Sequence, residues 1–199
     1  MKQGVIDKTG KRIIPFSSDA GLGGYYVSEG LVLVEKKGFM DSTGKIVIPW
    51  KWKSASRFSE GLAWVKNEYG DKGCIDKNGK LIVAYNKWKW TSDFHEGMAR
   101  VQDMNGKWGF IDKTGKNVVP CIWEMAYDFS EGLAIVKDKN SRKYGFVDKT
   151  GKLVIPCTWY SAEDQGFMDG LARVLSGSGY KSTGEYLINM AGQVVKKIK

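Results

Sequence analysis

Apolar residues occur along the chain in short runs, and the runs recur in a fixed order. One type follows a Glu-Gly pair: Leu31 to Val34, Leu62 to Val65, Met98 to Val101, Leu133 to Val136 and Leu171 to Val174. A second ends at an aspartate, as in Gly109-Phe110-Ile111-Asp112. A third leads into a proline, as in Ile46-Val47-Ile48-Pro49, Asn117-Val118-Val119-Pro120 and Leu153-Val154-Ile155-Pro156. All are short, rich in β-branched residues and bounded by turn formers, which predicts strands. Runs two and three are joined by Asp-x-Thr/Asn-Gly-Lys, from Asp7, Asp41, Asp76, Asp112 and Asp148. Asp can accept backbone N–H bonds from residues just ahead and Gly can take a positive φ, so this spacing predicts a tight antiparallel hairpin. The proline should end the third run, since it cannot donate to a ladder.

Two anchors repeat independently. Glu-Gly starts at residues 29, 60, 96 and 131, with Asp169-Gly170 as the last copy, and the aspartates follow a similar period near 35 residues. That is the signature of a repeat architecture. The expected fold is all-β: tandem units of about 35 residues, each a three-stranded antiparallel meander, stacked in an open solenoid-like array. The alternative is a closed propeller-like ring, whose blades ordinarily carry four strands. The chain divides into a partial unit (1–28, with Gly21, Gly23 and Gly24 in a long crossover), four full units (29–168) and a degraded capping unit (169–199). In the cap, Ser176-Gly177-Ser178-Gly179 reads as flexible.

Side chains alternate faces along a strand. In the first strand, one face is always small or β-branched (Ala63/Val65, Ala99/Val101, Ala134/Val136, Ala172/Val174), so it should pack tightly. The other face holds a variable column, Leu33, Trp64, Arg100, Ile135 and Arg173. A slot that accepts Leu, Trp and Arg suggests the margin of the core and a ligand-facing surface; the competing reading is a half-exposed rim without a ligand. A glycine column (Gly4, Gly38, Gly73, Gly109, Gly145) calls for a close approach by another group. The crossover tryptophans Trp52, Trp88, Trp123 and Trp159 are the candidates for that group. Trp50 and Trp90 are then left over as exposed aromatics, suited to stacking on a base or a sugar ring.

These motifs resemble the bacterial WG (KWG) repeat family, whose units read roughly EGLAxV…KWGyID.TGK.VIP..y..a..FSEG, and the resemblance covers nearly the entire chain. Lys107-Trp108-Gly109 carries the name-giving pair. Lys37-Gly38, Lys72-Gly73 and Tyr144-Gly145 keep only its glycine, and Trp replaces the usual crossover Tyr. The resemblance implies a binding or interaction module without assigned catalysis, and it transfers no functional residue.

The chain carries 31 Lys+Arg against 22 Asp+Glu, a net charge of +9. Many of the lysines fall in the hairpin turns. They read first as a solvated surface, and second as a positive stripe for polyanions. Three cysteines argue against a disulfide framework; Cys74 takes a slot held elsewhere by Phe, and Cys121 and Cys157 share a slot after the proline. The single histidine, His95, sits in a turn slot held elsewhere by Ser59 and Ser130, and nothing converges on it as a triad requires. The turn aspartates lack the ligand spacing of a calcium loop. No metal, cofactor or membrane span is expected, and no signal peptide is visible. Because the chain opens on the second strand of a unit, it reads as a fragment of a longer array or a trimmed form. Its location is then cytoplasmic or, for a trimmed precursor, secreted or at the cell surface. The expected function is a non-enzymatic scaffold for a protein or peptide, bound at Leu33, Trp64, Arg100, Ile135 and Arg173 with Trp50 and Trp90. The alternative is a cell-surface carbohydrate or polyanion-binding module.

Overall fold

In a computed structural model, the Asp-x-Thr/Asn-Gly-Lys segments fold as the spacing predicts. At the copies from Asp41, Asp76, Asp112 and Asp148 the aspartate Oδ1 accepts from the backbone N–H groups two and four residues on, as from Thr43 (2.8 Å) and Lys45 (3.1 Å) to Asp41. Asp112 and Asp148 repeat this geometry. The turn glycines Gly44, Gly79, Gly115 and Gly151 all have φ between 77° and 87°. The structure describes residues 3–6, 9–17, 26–34, 38–178 and 181–199. Asp7, Lys37 and the glycines at 21, 23 and 24 lie outside them.

Every regular element among the described residues is a β-strand. Two compact units are present, residues 1–87 and 88–199. In the first, β1 (Gln3–Ile6) pairs with β2 (Arg12–Ser17). Next comes the sheet β3 (Tyr26–Ser28), β4 (Leu31–Val34), β5 (Gly38–Met40) and β6 (Ile46–Pro49). It is followed by β7 (Ser54–Ala55), β8 (Leu62–Lys66), β9 (Lys72–Asp76) and β10 (Leu81–Val83). The second unit holds three sheets. They are β11 (Trp90–His95), β12 (Met98–Gln102), β13 (Trp108–Asp112) and β14 (Asn117–Trp123); β15 (Met125–Ala126), β16 (Leu133–Lys137), β17 (Tyr144–Asp148) and β18 (Leu153–Trp159); and β19 (Ser161–Met168), β20 (Leu171–Ser178), β21 (Lys181–Asn189) and β22 (Val194–Lys197). All are antiparallel and follow chain order.

Each expected three-stranded meander is thus extended by a fourth strand, recruited from the end of the preceding crossover. The Glu-Gly pair is the hairpin that joins this strand to the meander, as in His95↔Met98 around Glu96-Gly97. Both turn residues have positive φ, near 50° for the acid and near 80° for the glycine. That is a type I′ turn, whose twist matches the flanking strands. Ser176 to Ser178, expected to be flexible, are strand residues paired with Gly184, Ser182 and Lys181.

Two interactions join successive sheets inside a unit. The first is aromatic. A phenylalanine of the second strand meets the crossover phenylalanine of the next sheet edge to face: Phe39–Phe58 at 4.8 Å, Phe110–Phe129 at 4.7 Å and Phe146–Phe167 at 5.0 Å between ring centroids. The second is ionic. The carboxylate of one Glu-Gly turn accepts from the backbone of the next: Gly61 N–H donates to Glu29 (2.9 Å), Glu131 and Gly132 N–H to Glu96 (2.6 and 2.9 Å), and Gly170 N–H to Glu131 (2.8 Å). Lys77 and Lys149 pair with Glu29 and Glu96 at 3.1 and 3.2 Å.

The third strands correct the sequence reading of the proline. Pro120 and Pro156 lie inside β14 and β18, which are edge strands. The register shifts there, with Trp108 opposite Trp123 but Phe110 opposite Val119, so the proline sits in a bulge where no ladder N–H is needed. The bulge also explains the glycine column. A Cβ on Gly109 would lie 2.5 Å from the Val119 carbonyl oxygen and 2.8 Å from Cys121 Sγ, and Gly145 meets Ile155 and Cys157 in the same way. At these two positions the close neighbour is the bulged backbone, not a crossover tryptophan. Trp52 and Trp123 instead turn inward to the core.

Gly109→Ala should therefore cost about 2–3 kcal/mol in urea unfolding, because the clash is with backbone that cannot rotate away. Glu96 yields a pH prediction. Burial raises its pKa, but hydrogen bonds from Gly132, Lys149 and Glu131 together outweigh this and hold it below its ordinary value. A depressed folded pKa adds stability above the ordinary glutamate value of about 4.3, and that stability is lost as pH falls through the folded value. Glu96→Ala should lower stability by about 1 kcal/mol at neutral pH. The difference from the parent protein should vanish on acidification, as followed by urea midpoints across pH.

Candidate functional site

In the second unit the middle sheet is covered on both faces. Ala134, Val136 and Val147 pack with Met98, Phe110, Val119 and Trp123 of the sheet before it. Leu133, Ile135, Phe146 and Ile155 pack with Phe167, Ala172, Val174 and Ile188 of the sheet after it. The alternation seen in the first strand therefore separates two packed faces, not a core face from a free one. The candidate ligand column is largely core. Leu33 (6% exposed), Trp64 (6%) and Ile135 (1%) are buried. Arg173 is exposed, since its face of the last sheet has no successor within the unit; it pairs with Glu185 and Glu163.

Arg100 occupies the same inter-sheet slot as Ile135. Its guanidinium lies 5.0 Å from the Trp90 ring and 5.1 Å from Trp108, and it donates to the Ala126 carbonyl at 2.5 Å. Asp128 is 3.5 Å away. Trp90 and Trp108 meet edge to face at 5.1 Å. The structure thus brings together Arg100 and Trp90 of the expected set and adds the Trp-Gly tryptophan, but as an inward-facing cluster in which the buried Arg100 Nε has the Asp128 ion pair and no hydrogen bond. Trp50 is half-buried and packs on the first-unit core beside Trp52.

A concave site lies elsewhere, at the ends of the last two sheets. A cleft of about 660 Å³ is lined by Lys137, Arg142, Lys143, Tyr144, Tyr160, Ser141, Ser161 and Ser178. Strand register positions its wall: Lys137 on β16 is opposite Tyr144 on β17, and Tyr144 is opposite Trp159 on β18. Tyr144 fills the slot that Trp108 fills one repeat earlier. Lys137 sits 5.6 Å over the Tyr144 ring and pairs with Glu124 at 3.2 Å. Lys143 sits 5.5 Å over Tyr160 and donates to the Gly177 carbonyl at 2.6 Å. Each lysine is held by an aromatic face and an oxygen, so the positive charge is fixed in place before any ligand arrives. Sequence reasoning missed these residues. The available signal was the loop 138–143, one residue longer than its counterparts 67–71 and 103–107 and richer in basic residues.

Cys121 and Cys157 are free. Burial, with Asp103 near one and Asp138 near the other, pushes both thiols up to about 11, which disfavours the nucleophilic thiolate. Among the described residues, no three His, Cys, Asp or Glu side chains are grouped to hold a metal ion. No helix is long and apolar enough to cross a membrane.

Successive antiparallel sheets of about 35 residues, tied by recurring turns and aromatic pairs, define a tandem β-repeat protein. The chain belongs to the WG-repeat family: the model described as WG containing repeat matches residues 38–70, 73–108, 108–141 and 144–180. Among solved structures it is similar to BamB from Moraxella catarrhalis, with a TM-score of 0.42 and 10% identity over 98% of this chain and 69% of that one. No curated protein matches the chain.

Arg100→Ala should lower stability by about 2 kcal/mol, through loss of the two ring contacts and the bond to Ala126. Urea unfolding would measure the loss, and a shift in tryptophan emission would report the opened Trp90–Trp108 contact.

Proposed function

We propose that the protein is a non-enzymatic binding scaffold that recognises a protein or peptide segment, and that the cleft at Lys137, Lys143, Tyr144 and Tyr160 is the contact site. The observation that carries this reading is a preformed concave surface combining anchored cations, aromatic edges and serine hydroxyls. Pockets of this kind, with a few convergent polar groups on a rigid frame, are the usual place for a ligand. Strands fix the wall, so little ordering entropy is lost on binding. The expected column on the first strands is spent on packing at Leu33, Trp64 and Ile135, which moves the reading to the sheet ends.

A second reading rests on the exposed turn lysines Lys45, Lys80, Lys116 and Lys152. They recur once per repeat and would suit a polyanion or an acidic glycan. The chemical nature of the captured species separates the two readings, and binding by neutralised phosphates or sulfates falls steeply with ionic strength.

The test is capture from lysate at low and high salt, run in parallel with Tyr160→Ala after circular dichroism shows that variant folded. The expected result is a discrete polypeptide captured by the parent protein and bound about tenfold more weakly by the variant. Nucleic acid or glycan released by modest salt would assign binding to the turn lysines. Retention indifferent to Tyr160→Ala would remove the cleft from the reading.

A further inference from the structure

Three loops occupy the same place in their sheets, joining β8 to β9, β12 to β13 and β16 to β17. In two of them, a glycine with positive φ closes the turn: Gly70 (91°), donating to the Asn67 carbonyl at 3.0 Å, and Gly106 (79°), donating to Asp103 at 3.1 Å. In the third the closing residue is Arg142, with φ 56°, donating to the Asp138 carbonyl at 3.0 Å. L-residues with a side chain disfavour this left-handed conformation, and residues held there tend to gather at functional sites. The long side chain sits where the fold itself asks for glycine, and it lines the cleft.

The surrounding charges are already committed. Glu124 is paired with Lys137. The Asp138 carboxylate accepts from the Asn140 and Ser141 N–H groups at 3.0 and 2.7 Å, which closes its own loop. Lys143 donates one N–H to the Gly177 carbonyl and has two further N–H donors. Arg142 is exposed, and its guanidinium has no hydrogen bond or ion pair among the described residues. The cleft therefore keeps an excess of positive charge, with a planar fork of donors at its rim.

We infer that the cleft reads an acidic peptide segment, with Arg142 as the residue that grips a carboxylate of the ligand and Lys143 as its supporting charge. This rests on the reading of the cleft as a peptide site and specifies the partner's chemistry. Guanidinium and carboxylate match in geometry as a bidentate pair. The two lysines cover the Tyr144 and Tyr160 rings, so charge pairing is favoured over stacking of a sugar or a base.

Arg142→Gly isolates the side chain, because it restores the residue that the sister loops use. Fluorescence anisotropy would compare a labelled peptide of alternating Glu and Ser, its Gln–Ser counterpart and a short DNA oligonucleotide. The Glu–Ser peptide should bind the parent protein at least about tenfold more tightly than the Gln–Ser peptide. It should lose about tenfold in Arg142→Gly, while thermal unfolding of that variant stays level or rises. Equal binding by parent and variant overturns the role of Arg142. Equal binding of the two peptides overturns the acidic preference and leaves the peptide-binding reading standing. Binding of DNA with neither peptide bound overturns both.

Discussion

A sheet of four short strands leaves two apolar faces to cover, and in this protein its neighbours cover them. The middle sheet of the second unit shows it most plainly, with Ala134 and Val136 facing one neighbour and Leu133 and Ile135 the other. The edge-to-face phenylalanine pairs lie within this packing and repeat from sheet to sheet. Such pairs add about 0.5–1.5 kcal/mol each beyond the area they bury. Within each unit stability is thus a matter of neighbour contacts, which is the general logic of repeat proteins.

The Glu-Gly turn carries two duties in one dipeptide. Its hairpin needs positive φ at both positions, where Asn or Gly would be easier than Glu. Glutamate is used because its longer side chain reaches the backbone of the next turn. Glu96 takes hydrogen bonds from two successive N–H groups and pairs with Lys149 as well. A cost in local backbone energy is offset by a bond between repeats. That explains the acidic residue at Glu29, Glu96 and Glu131.

The cleft arises where this regularity is relaxed. Strand register and the bulged edge strand fix the frame, while the ends of the first and second strands face solvent and can vary. One repeat places Trp108 and Gln102 there, and the next places Tyr144 and Lys137. A loop one residue longer then brings Arg142 to the rim. Variation at the margin of a rigid repeat is a physical route to a specific surface on a shared fold.

The sequence alone was enough for the period, the strand identities, the aspartate hairpins and the all-β class, because each depends on local chemistry: alternation, turn residues and the need for positive φ. The three-stranded meander was legible for the same reason. The fourth strand was not, since segments such as Ser54-Ala55 and Met125-Ala126 have little strand character of their own and are recruited by the edge they meet. The burial of Leu33, Trp64 and Ile135 was likewise hidden, because alternation says that two faces differ and not what covers each. The prolines inside β14 and β18 depended on a bulge that only pairing with the neighbouring strand creates. The cleft belongs to the same class. Its residues come from β16, β17, β19, β20, the loop before β17 and Tyr160 between β18 and β19, and they meet only when two sheets pack against each other.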